Sequence, residues 1–275
     1  MIVIVILAVV LLCFLLIKYK IPRVGNMVLI TGGIKTGKSM LSVRLAVKLY
    51  RQQLLKWHIH NALQYLKRKS KRKYKEKPLL YSNIPLKTKY VPLTNDLLSR
   101  KERFTYGSIC YICESSLVAD SMSYKDDELN ERLLLFNKLF AHETHGGTVI
   151  YDTQSISDNH YACKRCLSTY LHIHHTIKIP LFPFVIMYLR EMYYSDDGNV
   201  TNTQDSDVED NLKITLVPKK TWKLYDRYCY SVLTDNLPIE SGEIDNKNGK
   251  DLKARRIISF KKFKTIKGDN NNEQT

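Results

Sequence analysis

MVLITGGIKTGKSMLSVRLAVKLY, residues 27–50, decides how this chain folds. Met27 to Ile30 is an apolar run of strand type. The chain then turns through Gly32-Gly33-Ile34-Lys35-Thr36-Gly37 and continues in a helical pattern. Gly32, Gly37, Lys38 and Ser39 have the spacing G-x-x-x-x-G-K-[ST]. Small residues there let successive backbone N–H groups converge on a phosphate, and the following helix aims its positive end at the same anion. Lys38 reaches the outer phosphates, and the Ser39 hydroxyl ligates Mg²⁺. With a strand before the turn and a helix after it, the stretch reads as an ATP–Mg²⁺ site. Its binding residues are Gly32, Gly33, Ile34, Lys35, Thr36, Gly37, Lys38, Ser39 and Met40. Lys35 reads either as a solvated loop charge or as a second phosphate contact.

The bulk numbers set bounds around this site. A chain of 275 residues holds one large domain, or one domain with tails, and 44% hydrophobic residues are ample for a core. A formal net charge of +16 is extreme for an ordinary soluble enzyme and points to an acidic polymer or an anionic surface as partner. That charge, with an apolar N-terminus, argues against a kinase for a small substrate. The six cysteines do not form a disulfide framework: Cys13 falls in the apolar N-terminus, and Cys110 and Cys113 fall in a predicted buried strand.

Residues 1–17 carry no charged side chain and, as a helix, span roughly 25 Å. Lys18, Lys20 and Arg23 follow directly, with no small-residue cleavage site. The spacing predicts a single-pass anchor over residues 1–20, N-terminus outside and the remainder in the cytosol, where ATP is. The helix after the phosphate loop runs on past Tyr50 through Leu54, Trp57, Leu63 and Leu66. It meets KRKSKRKYKEK, residues 67–77, in which eight of eleven residues are basic. This run reads as a DNA-backbone contact, a rim on anionic lipid, or a solvated charged end.

Leu79 to Ile84 is a short strand ended by Pro85. Ser108 to Cys113 is a buried strand with Glu114 at its C-terminal end, where ligands sit in parallel α/β sheets. Leu129, Leu133, Phe136 and Phe140 recur at helical spacing as a core stripe that Gly146-Gly147 ends. Thr148 to Thr153 is the next strand, followed by Gln154, and Leu171 to Ile179 is another. Alternating strands and helices predict a mostly parallel sheet. Residues 195–211 hold six acids and no base and read as an acidic loop. Thr221 to Leu233 is aromatic enough to be ordered, and residues 236–275 form a basic, polar tail expected to be disordered.

In this order the landmarks resemble the zonular occludens toxin-like (Zot) family, which includes the assembly ATPases of filamentous phages in the FtsK/HerA branch of P-loop motors. The likeness rests on GGIKTGKS, on YSNIP at Tyr81 to Pro85, on the apolar strand ending in Glu114, and on HETHGGTVIYDTQSI from His142 to Ile156. WKLYDRY at Trp222 to Tyr228 resembles the close of that family's ATPase domain, so the likeness covers about residues 25–230. The resemblance implies a RecA-like α/β domain in which Lys38 and Ser39 hold phosphate and Mg²⁺. It implies that Glu114 polarises the attacking water and assists the metal. Gln154 would sense the γ-phosphate from the neighbouring strand, and Arg165 would reach a neighbouring subunit's nucleotide as an arginine finger.

Two departures stand out. The family's second motif normally ends in Asp-Glu, whereas here the pair is Cys113-Glu114, and a thiol is a poor partner for a hard cation. Filamentous-phage members carry their membrane helix after the ATPase domain; here the apolar stretch precedes it. A rival constellation is Cys163-x-x-Cys166 with His172, His174 and His175, a zinc-type spacing. Against zinc, the cysteine pair is single, and His172 and His174 share one face of a predicted strand.

Together these readings predict a membrane-anchored ATP hydrolase on the cytosolic face of the host inner membrane, forming a homo-oligomer such as a hexamer. Its expected partners are single-stranded DNA or a nucleoprotein virion precursor, and phage coat proteins. Its expected task is phage assembly, DNA packaging or virion export. The alternative is a weakly hydrolysing, nucleotide-gated membrane scaffold that recruits coat or replication proteins, a reading Cys113 favours.

Overall fold

A computed structural model describes residues 21, 23–66, 74–98, 102–117, 127–159, 161–194, 200–201 and 212–225. The predicted anchor, the basic run up to residue 73, nearly all of the acidic loop and the C-terminal tail lie outside the described residues. Among the described residues no helix is long and apolar enough to cross a membrane.

The first strand, β1 (Met27–Gly32), is buried at every position. Helix α1 (Lys38–Tyr65) follows it across the phosphate loop. The chain continues through β2 (Leu80–Ser82), β3 (Val91–Pro92), a short helix α2 (Asn95–Leu98) and β4 (Ile109–Ile112). Helix α3 (Asp127–Glu143) leads into β5 (Thr148–Thr153), and α4 (Tyr161–Lys164) into β6 (Thr169–Ile177). Three further strands, β7 (Phe184–Tyr194), β8 (Val200–Thr201) and β9 (Leu212–Pro218), close the described chain with a 3₁₀ turn over Lys219–Leu224.

The sheet order is β3-β2-β4-β5-β1-β6-β7-β8, with β9 also paired to β7. From β3 to β6 every pairing is parallel. From β6 onward the pairings turn antiparallel, so the sheet is mostly parallel, as expected, with an antiparallel extension beyond the half that carries the phosphate loop. The sequence reading placed the sixth strand at Leu171 to Ile179. It begins two residues earlier and ends at Ile177, because Thr169 pairs in register with Val28.

Both faces of the parallel half are covered, as such a sheet requires. On one face α1 packs Met40, Leu41, Val43, Leu45 and Val47 against Val28, Ile30, Tyr111 and Ile150. On the other, the predicted stripe of α3 delivers Leu133, Phe136 and Phe140, with Phe104 4.9 Å from Phe140 and from Tyr81. Gly147 admits the close approach that lets β5 start beside β4: a Cβ there would lie 2.3 Å from the Ser108 carbonyl oxygen. The strand order leaves β5 between β1 and β4, so two strand ends besides β1 face the phosphate loop.

Candidate active site

The loop between β1 and α1 has the features of an anion cradle. Gly37 caps α1 with φ 89°, a left-handed conformation that glycine adopts at little cost. No side chain caps the helix and its first turn holds no acid, so its leading N–H groups stay available to an anion. Thr36 braces the turn by donating its hydroxyl to the Gly33 carbonyl at 2.8 Å. From the antiparallel half, Thr176 donates to the Thr36 carbonyl at 2.5 Å, and Met187 Cε stands 2.9 Å from where a Gly37 Cβ would be. The β6–β7 pair therefore buttresses the loop.

Of the predicted binding residues, Gly33, Ile34 and Lys35 are exposed, and Lys35 has φ 65°. Met40 differs: its side chain is fully buried in the core, so only its backbone faces the loop. Lys38 is 8% exposed, and its Nζ donates to Glu114 Oε1 at 2.5 Å as an ion pair. That pair joins the phosphate-loop lysine to the end of β4, across the intervening strand β5.

Glu114 is held in a left-handed backbone conformation, φ 47°, that costs a non-glycine residue about 1–3 kcal/mol. Its N–H donates to Asp152 Oδ1 at 2.7 Å. Tyr111 donates its hydroxyl to Asp152 Oδ2 at 2.8 Å, so both oxygens of this fully buried carboxylate are engaged. One residue earlier, Cys113 N–H donates to Asn83 Oδ1 at 2.7 Å, and Asn83 Nδ2 returns a bond to the Cys113 carbonyl at 2.9 Å. Asp152 and Asn83 thus fix where Glu114 points. The sequence reading named neither role. Its available signals were a lone carboxylate inside the apolar strand TVIYDT and a buried asparagine in YSNIP.

Burial pushes the Asp152 carboxyl up, and the Glu114 N–H and the Tyr111 hydroxyl pull against it. Burial also lifts the Tyr111 hydroxyl and the Cys113 thiol well above their usual ranges, with Asp152 adding to both. Cys113 Sγ lies 4.0 Å from Ser39 Oγ. A thiol kept neutral there is no Mg²⁺ ligand, and Asp152 is fully buried with a hydrogen-bond donor already on each oxygen. The residues that would fit such an ion are Ser39, through its hydroxyl, and Glu114, through its carboxylate, oxygen donors of the kind Mg²⁺ prefers.

The remaining predicted site residues fall in two places. Thr31 pairs with Thr153, so Gln154 follows at the level of Gly32 and stands exposed beside the loop. Arg165 is exposed in the turn after α4, three residues before Ser168, whose N–H bonds the Met27 carbonyl at the opposite edge of the sheet. Within one chain the fold does not bring it to Lys38.

The cysteine–histidine constellation is dispersed. Cys163 is buried on α4, its thiol pushed up to about 11 by burial. His172 Nδ1 lies 2.9 Å from Thr31 Oγ1, and burial lowers its basicity with His174 and Arg190 contributing. Among the described residues no group of three or more His, Cys, Asp or Glu is arranged to hold a metal.

No protein-family model and no curated protein matches the chain. Among solved structures it is similar to the N-terminal domain of zonular occludens toxin from Neisseria meningitidis. Identity there is 16%, the match covers 74% of this chain and 100% of that one, and the TM-score is 0.39. It is also similar to the genome packaging NTPase B204 of Sulfolobus turreted icosahedral virus 2. In the complex with AMP the identity is 12%, coverage 61% of this chain and 93% of that one, and the TM-score 0.31. In the complex with ATP-gammaS the values are 12%, 60%, 96% and 0.29.

Proposed function

We propose that the chain is a membrane-anchored ATP hydrolase that drives assembly, DNA packaging or export of a virus with a single-stranded DNA genome, working as a homo-oligomer. The observation that carries the ATP site is the contact between Lys38 and Glu114 across β5, at the mouth of an uncapped helix N-terminus. The loop N–H groups and Lys38 hold phosphate, and Ser39 would hold Mg²⁺, which would supply charge neutralisation to the phosphates. When Lys38 turns to the terminal phosphate, it releases Glu114. Glu114, fixed by Asp152 and Asn83, then orients a water for in-line attack. Gln154 reads the terminal phosphate from the end of β5. Arg165, remote from its own loop, serves a neighbouring subunit. Single-stranded DNA or a nucleoprotein precursor, and coat proteins, are the partners that the net charge of +16 and the family resemblance favour.

Cys113 supports a second reading, a scaffold that binds ATP and scarcely turns it over. Steady-state hydrolysis by the full chain, with and without single-stranded DNA, separates the two. Turnover stimulated by DNA and abolished in Lys38→Ala supports the motor. Stoichiometric ATP uptake with no turnover supports the scaffold. Full assembly activity in Lys38→Ala refutes any role for the loop.

A further inference from the structure

The distal half of α1 is turned inside out. A helix of 28 residues is roughly 42 Å long, whereas β1 spans roughly 20 Å, so half of α1 extends past the sheet. Tyr50 is its last apolar side chain buried in the core; beyond it Leu54 still packs half-buried against the core and Gln64 is buried. By contrast, Leu55, Ile59, Leu63 and Leu66 are 61%, 52%, 53% and 83% exposed. At 3.6 residues per turn these four fall on one stripe.

The opposite face carries Gln53, Trp57, His60, Asn61 and Gln64, all half-buried or buried. It is tied inward. Trp57 Nε1 donates to the Lys75 carbonyl at 2.8 Å, Lys75 N–H donates to Asn61 Oδ1 at 3.1 Å, and Lys75 Nζ reaches the Tyr106 hydroxyl at 2.5 Å. A solvated surface helix has the reverse polarity, aliphatic side in and polar side out. An exposed aliphatic stripe that the described residues leave uncovered marks an interaction surface.

Two observations identify what meets it. Exposed Arg51 and Lys56 flank the stripe, and the chain leaving Leu66 carries six Lys or Arg in the next seven residues, 67–73. An aliphatic ridge with cationic margins complements an anionic lipid surface. The second is position. Ile21 is 7% exposed in the core, Gly25 N–H donates to Thr169 Oγ1 at 2.9 Å, and Met27 opens β1. The described chain therefore enters the domain at the N-terminal edge of the sheet, the side from which the uncharged stretch 1–17 precedes it in sequence. Helix α1 starts at the opposite edge and runs back, so its distal half emerges at that same pole.

We propose that Leu55, Ile59, Leu63 and Leu66 of α1 lie in the headgroup–acyl boundary of an anionic bilayer, directing the nucleotide pole away from the membrane. This rests on the anchored reading given above. A second copy of the chain packing stripe to stripe would set Arg51 and Lys56 against their own kind. Single-stranded nucleic acid favours aromatic stacking faces; the stripe itself is aliphatic, and the exposed Tyr65 and Tyr74 at its distal end contact each other edge-on, ring centroids 5.6 Å apart.

The full chain carrying Ile59→Trp, or separately Leu63→Trp, is mixed with phosphatidylcholine vesicles containing about 30% phosphatidylglycerol, with brominated or ordinary acyl chains. Flotation and ATP uptake are recorded on the same samples. The added indole is expected to lose about half its emission with brominated chains, relative to wild type, and severalfold less in phosphatidylcholine alone. Flotation without quenching of either indole overturns the docking and leaves the anchor standing. Failure to float overturns both, and ATP uptake shows independently whether the nucleotide site survives. An indole that responds to an oligonucleotide, or to self-association in sedimentation, and not to brominated lipid also overturns the docking.

Discussion

At the end of β4 the chain is held on every side, while at the end of β5, one strand nearer the phosphate loop, it is open. Glu114 follows β4 with a strained backbone. Asp152 fastens its N–H, Asn83 clasps the preceding residue, and Lys38 holds its carboxylate. Gln154 follows β5, exposed, two residues after a fully buried carboxylate. Hydrogen bonds to a charged group contribute about 1.5–3 kcal/mol each, enough for the Asp152 bond to offset the strain at Glu114. On the proposed reading, the contrast means that one strand, β5, does two jobs. Asp152 fixes the geometry of its neighbour, and the residue beyond it is free to respond to a ligand. An acid that orients water must not wander, whereas a residue that distinguishes triphosphate from diphosphate must be able to change contacts.

The largest expected effect is on turnover at the clamped end. Glu114→Gln keeps the shape and the N–H bond to Asp152 and removes the charge proposed to orient water. Hydrolysis is expected to fall by about 10²–10⁴-fold, measured at saturating ATP with Mg²⁺. ATP uptake is expected to hold or tighten, because Lys38 no longer has an anionic partner competing with phosphate. Unchanged turnover in this variant would make the β4 end a structural clamp around an idle carboxylate.

Next comes the clamp itself. Asp152→Ala leaves the Tyr111 hydroxyl and the Glu114 N–H without their acceptor, at about 1–3 kcal/mol for each buried group. The expected result is a lower Tm together with lost turnover. Asp152→Asn retains an acceptor for the Glu114 N–H and is expected to fall between wild type and alanine. It also carries a pH signature. The buried carboxyl has a raised folded pKa, so the native state holds that proton more tightly than the unfolded chain. This contribution to stability is fully present below the unfolded value and is lost as pH rises through the folded one. Urea unfolding across the acidic range should show that decline in wild type and a flatter curve in Asp152→Asn. Equal slopes would mean that Asp152 titrates as it does in the unfolded chain.

The two strand ends were unequally legible. The phosphate loop and the strand and helix flanking it could be read because the spacing itself has a mechanism. Glu114 and Gln154 could be placed because a strand's last residue marks a boundary in the pattern. The Asp152 and Asn83 clamps depend on which strands become neighbours, and pairing between β4 and β5 is invisible until the sheet order is known. The antiparallel half was missed for a related reason. In β7 the buried Val185, Met187 and Leu189 alternate with half-buried Ile186, Tyr188 and Arg190, and two apolar residues among the outer set blur the period. The distal half of α1 misled in another way: Leu63 continues the helix and Leu66 caps it, but both lie on its exposed side.

The smallest expected effect lies at the open end, and it decides whether the contrast is functional or merely a difference in burial. Gln154→Ala removes an exposed amide level with Gly32, so the stability change should stay within about 0.5 kcal/mol, as for other surface positions. If the amide contacts the terminal phosphate only as the bond to it breaks, its loss raises the barrier by about one neutral hydrogen bond. That is roughly 1.4 kcal/mol, a tenfold drop in turnover at unchanged ATP affinity. The three observables separate the readings. Slower turnover with Tm and affinity intact identifies a sensor. A Tm loss comparable to that of Asp152→Ala would make Gln154 part of the clamp, and the two strand ends would then be alike. Turnover equal to wild type would leave β5 with the clamping role alone, and discrimination of the terminal phosphate would fall to Lys38 and the switch of its ion pair with Glu114.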